Sequence, residues 1–444
     1  MKSKGKPVIC ILLLVALTLQ LSACGGIETS DKIQSDNLTS HIGTEKMWDY
    51  LDTYIVNPDA TILTLQCWAP DQYLQTCVQS YNLEHSDIQI KIEAAFENYS
   101  DTQSAFAAMD QLNAKLISGD TPDIFCFNSL NIMALENANL VLDLRDFMEK
   151  DMDFHYEDYY MNIWEQFALH GHIYEFIPYF EIIGLSGYTS EIGKRNGWSF
   201  EEWSDFAKSH TEKNMLALTP AAMLEYMEMF TLSNFVDVEN ASCDFETESF
   251  YQMLDIISNC PTQRNDDQAY LEISRINSLY DYLFTDNRTQ KSITGFPSPS
   301  GNGPSIQALY SYGICSKTKY PDECWEFLKY LLDEKNAENL SSFSMRKNIN
   351  ETLFELAQLP ADDPEALVYE CLDEDQNQIP PLSQDEVDYL RNLLETTDTI
   401  RFRYSDVENI VSEEVPAYLS GDKTAQDVSA VIQNRVSIFL SEQQ

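Results

Sequence analysis

From residue 60 onward, apolar and polar positions follow two periods in alternation. The run "ATILTLQCW" is rich in apolar and β-branched residues, "DQYLQTCVQSYNL" has apolar residues at helical spacing, and "DIQIKIEAAF" alternates residue by residue. A period of two marks a strand and one near 3.6 a helix, so this stretch predicts strand, helix, strand. "TQSAFAAMDQLNAKLISG" predicts a second helix ending at Gly119, and "DTP" then turns the chain into the strand "DIFCF". Strands separated by helices predict an α/β fold built on a mainly parallel, doubly wound sheet. In such sheets a ligand sits beyond the carboxyl ends of the strands. Trp68, Asn128 and Ser129 directly follow two of these strands and fall on one rim.

The middle of the chain is less regular. "NLVLDLRDFMEKD" predicts a turn into a helix, and "GHIYEFIPYFEIIGLSGYTS" predicts successive strands. "GWSFEEWSDFAKSH" opens a helix with Ser199 as N-cap and Glu202 three residues on, the spacing of a capping box. "DFETESFYQMLDIISNC" is a helix with an acidic start, "ITGFPSPSGNGPS" a loop, and "IQALYSYGICS" a strand. "DECWEFLKYLLDEKNAENL" is strongly amphipathic, and "DEVDYLRNLLETTD" and "AQDVSAVIQNRVSIFLSEQ" predict two long helices near the end. No repeat recurs at a fixed period.

The first residues follow a different logic. Lys2, Lys4 and Lys6 precede the apolar run Val8 to Leu21, which contains Thr18 and Gln20 and is too short to span a bilayer as a helix. A basic start, a short apolar core and small residues at the end form a secretory signal. Leu21-Ser22-Ala23-Cys24 resembles the bacterial lipobox, in which the cysteine is lipidated and becomes the first mature residue. The alternative is an ordinary signal with an incidental cysteine. Acyl chains (palmitate and its like) add roughly 0.8 kcal/mol per buried methylene, enough together to hold a soluble domain at a membrane. Residues 25–59 begin polar and become partly helical, which suits a tether and a short helix.

Charge narrows the partners. Removing residues 1–23 leaves 25 basic residues against 72 acids, a formal charge of −47. Such a surface repels phosphate backbones and excludes nucleic acid as a partner. Eight cysteines remain beyond Cys10 and Cys24, with no CxxC pair and no metal-ligand spacing. Several lie in apolar runs, where buried free thiols are expected. His170 and His172 form an HxH without a recognisable third ligand, so a turn pair is the simpler reading than a metal site. No cofactor signature is present: the loop Gly295 to Gly303 lacks the GK[ST] ending of a phosphate cradle.

The order of the segments resembles the extracellular solute-binding proteins of ABC importers, family 1, which includes the maltose-binding protein. The matching pieces are the opening strand ending in Trp68, "LNAKLISGDTPDIF", "LVLDLRDF", "GHIYEFIPY", "GWSFEEWSDF", "GFPSPSGNG", "YGICSKTKYPDECWEFLKYLL" and "YLSGDKTAQDVSAVIQNRVSIFLSEQ". They cover most of residues 60–442 in the expected order. The long segment after Cys24 departs from the pattern, as does "SFSMRKNINE", which lacks a proline before its basic residue. The resemblance implies a two-lobed periplasmic-binding-protein-like fold. Each lobe would be a mainly parallel sheet flanked by helices, discontinuous in sequence, with the ligand cleft between them. The implied division is a signal over 1–23, a tether over 24–59, a first lobe over 60–181 and 305–345, and a second over 182–304 and 346–444. The strands joining the lobes are expected near 179–183, 306–314 and 344–347.

The implied function is a lipid-anchored binder that captures a carbohydrate by hinge closure and passes it to permease subunits. It would act as a monomer on the extracellular face of a bacterial cytoplasmic membrane, and would not be an enzyme. Sugars are recognised by aromatic faces and planar polar groups. Trp68, Asn128, Ser129, Tyr179 at the expected hinge, Tyr188, Tyr310 and Arg346 are therefore the candidate contacts. Each has a plainer reading: a core tryptophan, a helix cap, abundant tyrosines, a solvated arginine. Trp203 and Trp325 fall on apolar helix faces and are expected in the core. A glycan hydrolase would need a carboxylate pair in a cleft, which 72 acids do not exclude, but neither GxSxG nor HExxH is present.

Overall fold

A computed structural model describes residues 55–68, 70–94, 112, 115, 116, 118–127, 130, 132–263, 269–339, 342–368, 371 and 377–442. The first sheet contains β1 (Thr61–Cys67), β2 (Ile88–Ala94), β3 (Ile124–Cys126) and β11 (Tyr312–Ile314) in the order β11-β3-β1-β2. Strands β1, β2 and β3 run parallel, and β11 is antiparallel to β3. Helix α1 (Gln72–Glu84) makes the first crossover, capped by Asp71, whose Oδ1 accepts from the Leu74 amide at 2.7 Å. Gly119 turns the chain at φ +90° before β3, a conformation that costs other residues more.

The second sheet is organised differently. Its centre is β4 (Tyr179–Tyr188), ten residues long, with β5 (Asn214–Leu216), β8 (Ala269–Ile276), β9 (Lys291–Thr294), β10 (Ser305–Ala308) and β12 (Phe343–Ser344) around it. Every partner of β4 is antiparallel to it, and only β5 and β8 pair in parallel. The mainly parallel character thus belongs to the first sheet. In the second, the strands turn back along one long strand rather than crossing over it through helices. A small hairpin, β6 (Val236–Asp237) and β7 (Ser242–Cys243), stands apart.

Among the described residues the helices include α1, α2 (Ile132–Asn137), α3 (Met161–Trp164), α4 (Phe200–Ser209), α5 (Pro220–Thr231), α6 (Glu248–Ser258), α7 (Leu279–Leu283), α8 (Pro321–Tyr330), α9 (Lys347–Gln358), α10 (Gln384–Thr396), α11 (Ser405–Leu419) and α12 (Ala425–Glu442), with further short helices at Arg145–Lys150 and Thr189–Ile192. The Ser199–Glu202 capping box at the start of α4 is present in both directions. The amphipathic segment beginning at Pro321 stays α-helical only to Tyr330 and continues as a 3-10 turn at Glu334–Asn339.

Two large apolar cores result. The first gathers Leu63, Leu65, Ile90, Ile92, Ile124, Trp164, Trp325 and Phe327. The second gathers Trp198, Trp203, Met223, Phe250, Val411 and Ile432. Alternate residues of β3 divide, Ile124 and Cys126 facing the first core and Phe125 a smaller cluster on the other side of the sheet. The cores are joined by strands. Strand β4 changes core between Ile182 and Ile183, β8 returns the chain between Ile273 and Ile276, and Phe296 lies in the second core. Ile306 is back in the first, and the last passage runs from Ile400 to Phe402. That last passage differs from the expectation at 344–347. Residues 346–396, assigned by the resemblance to the second lobe, bury Phe354, Ala357, Val387, Leu390 and Leu394 in the first core. The cause is local: β12 pairs with Phe180 and Tyr179 on the first-core end of β4 and delivers α9 there.

Candidate functional site

The edge where β1 and β3 end and β11 begins collects polar and aromatic side chains. Trp68 follows β1 and is half-buried, and Tyr310 and Ser311 lead into β11. The Tyr179 hydroxyl donates to Asp71 Oδ2 at the start of α1. The Tyr179 ring stands edge-on to Tyr73 at 5.1 Å between centroids and tilted against Tyr310 at 6.1 Å. One short segment therefore supplies both the helix cap and the anchor for the first residue of β4. Burial pushes the Asp71 carboxyl above its ordinary range, outweighing the hydrogen bonds from Tyr179 and the Leu74 amide that favour its charged form. Two buried polar atoms in these strands, Gln66 Oε1 and the Tyr312 hydroxyl, have no hydrogen-bond partner.

A second polar group adjoins this edge. The buried Glu175 carboxylate accepts from Ser311 Oγ at 2.6 Å and pairs with the Arg403 guanidinium. Its backbone carbonyl accepts from Trp164 Nε1 at 2.6 Å. Arg403 comes from just beyond the last passage between the cores, and its guanidinium lies over the Phe167 ring at 4.9 Å. The pair thus ties the first core to the segment entering the second. A buried pair of this kind makes breaking it costly without guaranteeing that it adds net stability. Of these groups Trp68 and Tyr310 are partly exposed, whereas Tyr179, Glu175 and Ser311 are buried and support the edge from within.

The structure brings Trp68, Tyr179 and Tyr310 to this edge, Trp68 and Tyr310 partly exposed and Tyr179 buried in the first core. Asn128 and Ser129 lie outside the described residues, as does Cys24. Tyr188 is elsewhere. It sits at the opposite end of β4, nine residues from Tyr179 and so about 30 Å away along the strand. There its hydroxyl accepts from Asn287 Nδ2 at 3.2 Å, with Lys291 Nζ 5.5 Å from its ring. Arg346 follows Ser344, which pairs with Tyr179, but its guanidinium turns to the Leu332 carbonyl at 3.3 Å and to Glu334 at 3.6 Å. Trp203 and Trp325 are core, at 5% and 3% exposure. His170 and His172 face different carboxylates, Glu136 at 2.9 Å and Asp143 at 2.6 Å.

Sequence reasoning passed over Asp71, Glu175, Ser311 and Arg403. Asp71 carried a usable signal, because an aspartate after proline at the head of a helical pattern is a cap. Glu175 and Arg403 carried none: 228 residues separate them, and no local pattern marks their meeting. The glycine loop also proves structural rather than part of this edge. Ser298 pairs with Ser199, and Phe296 stacks on Phe230 at 4.8 Å inside the second core.

No family model matches the chain, and no curated protein matches it. Solved structures of the same fold do. An extracellular solute-binding protein family 1 from Alicyclobacillus acidocaldarius is 15% identical, with a TM-score of 0.55 over 86% of this chain and 99% of that one. The sugar-binding protein MalE from Xanthomonas citri is 12% identical, with a TM-score of 0.58 over 86% and 98%. An ABC substrate-binding protein from Listeria monocytogenes, in complex with cycloalternan, is 15% identical, with a TM-score of 0.54 over 86% and 100%. The fold is thus the two-lobed α/β fold of solute-binding proteins.

Proposed function

We propose that this protein is the solute-capturing component of an ABC importer, closing two lobes around a carbohydrate, in kind an oligosaccharide. The observation that carries the reading is the architecture: two cores with strands passing between them, and an aromatic and polar edge beside the first passage. Three similar folds whose names state solute binding, sugar binding or a bound cycloalternan support it. Trp68 and Tyr310 would supply the stacking faces, Tyr179, buried and bonded to Asp71, would hold the edge in place, and Asn128 and Ser129 would add polar contacts. Cys24 would carry the acyl anchor that keeps the domain at the outer face of the membrane, raising the local concentration of loaded binder near its permease. Among the described residues no helix is long and apolar enough to cross a membrane.

Binding can drive closure only if the solute contacts the closed form better than the open one. A panel of glycans screened by thermal shift is the direct test. A solute at 100 times its dissociation constant adds about 2.7 kcal/mol of stability. The same solute should reduce the radius of gyration in small-angle scattering, since closure is a rigid-body motion of the lobes. Cleavage of the glycan, or binding without compaction, would refute the transport reading.

A further inference from the structure

Three segments lie side by side where the chain passes between the cores. Glu181 on β4 stands directly opposite Gln307 on β10. On the other side of β10, the Ile306 amide donates to the Thr399 carbonyl at 2.8 Å and the Arg401 amide to the Ile306 carbonyl at 2.9 Å. Ile306 bridges Ile400, so Gln307 and Arg401 are neighbours on the same face. A row Glu181–Gln307–Arg401 therefore crosses all three segments at the junction. Arg275 on β8 extends the row on one side and Glu408 on α11 on the other, each facing its neighbour by charge.

The row is badly satisfied. Glu181 is fully buried, and neither carboxylate oxygen makes a hydrogen bond. Arg275 Nη1 approaches only to 3.6 Å. Arg401 Nε and Glu408 Oε1 are likewise buried without partners. A buried carboxylate in this state costs free energy unless it is neutral or its cations close in. Both remedies are available here, and they need different arrangements of the segments. A movement of less than 1 Å would turn the 3.6 Å approach of Arg275 into a hydrogen bond.

We propose that Glu181 is a proton-linked hinge switch: protonated, it is compatible with the lobe arrangement in this structure, and ionised, it draws Arg275 and Arg401 inward and turns the lobes. The inference rests on the hinge-closing reading above. Burial raises the Glu181 carboxyl from 4.5 to about 7, with Arg275 and Arg401 opposing and Asp281 on α7 adding to the rise. These are the charged groups facing it from β8, the last passage and α7, and Gln307 on β10 is neutral. The sign follows from linkage. The arrangement that buries Glu181 binds the proton more tightly, so acid favours it and a rise through neutrality disfavours it.

Small-angle scattering on the full mature chain without solute, from pH 5.5 to 8.5, tests this. The radius of gyration should change with a midpoint near 7. Glu181→Gln, which resembles the protonated form, should hold the low-pH value throughout. Arg275→Gln removes an attracting cation and should move the midpoint up by about one pH unit. A wild-type curve flat with pH, or a Glu181→Gln curve that still changes at the same midpoint, overturns the switch. If solute nevertheless compacts the protein while pH does not, only this inference falls. If neither does, the hinge-closing reading falls with it.

Discussion

Replacing Glu228 by glutamine should make this protein more stable, and only at neutral to alkaline pH. Glu228 lies on α5, is 5% exposed, and accepts from Ser412 Oγ on α11 at 2.8 and 2.9 Å. Burial, with Glu408 and Glu225 nearby, raises its carboxyl from 4.5 to about 8, and the Ser412 hydrogen bonds only partly oppose this. The folded chain therefore holds this proton more tightly than the unfolded chain. Its contribution is full below pH 4.5 and is lost progressively as pH rises to about 8. The whole displacement corresponds to at most roughly 5 kcal/mol. An amide cannot ionise and so escapes that loss. Thermal unfolding of wild type and Glu228→Gln at pH 5 and pH 8.5 is the assay. Near pH 5 the two should melt within a few degrees of each other, whereas at pH 8.5 the variant should melt several degrees higher. Taking the difference between the two proteins cancels the general effect of so acidic a surface. Parallel pH curves, or a variant less stable at both values, would refute the reasoning that burial dominates this site.

The remaining predictions concern the edge and its support. Trp68→Ala should weaken capture of the cognate solute by at least about 2 kcal/mol while changing the melting temperature little. Trp325→Ala should do the reverse, losing roughly 3–5 kcal/mol of stability, because it removes a ring packed between Phe147 and Phe176 that also donates to Asp151. Titration calorimetry and thermal melts on both variants decide the ranking, and an inverted order would place Trp68 in the core. Gly313→Ala would put a methyl 2.4 Å from Phe127 Cζ and 2.8 Å from the Tyr174 carbonyl. It should cost about 1–3 kcal/mol and displace Phe127, so that binding weakens as well as stability. Unchanged affinity in a folded Gly313→Ala protein would separate the edge from β3.

Where the sequence was legible, the reason was a local one. The strand–helix–strand opening, the Gly119 turn and the Ser199 capping box are written in neighbouring residues, and the structure carries them as read. The run "IQALYSYGICS" shows where local reading stops. It looks like one strand, yet Ser305–Ala308 pairs with β4 and Tyr312–Ile314 with β3, in different sheets. Apolar alternation marks strandedness but not which sheet receives it. The same limit explains Tyr188 and Arg346. An aromatic at a strand end and a cation beside a turn have the chemistry of a site, but Tyr188 belongs to the far end of a ten-residue strand and Arg346 is taken up by a neighbouring turn. The Glu175–Arg403 pair and the row through Glu181 depend on contacts between distant segments. They become visible only once the passages are placed.

The wiring of the two cores sets when this chain can first fold. The first core needs Leu63 and Leu394, and the second needs Ile183 and Leu440. Neither can close while only the amino-terminal half exists, because each waits for residues delivered near the end. Contacts between such distant residues carry a large loop-closure entropy and make folding slow. A chain of this topology can complete neither core from its first half alone. Once its final helices are made, both cores can condense almost together.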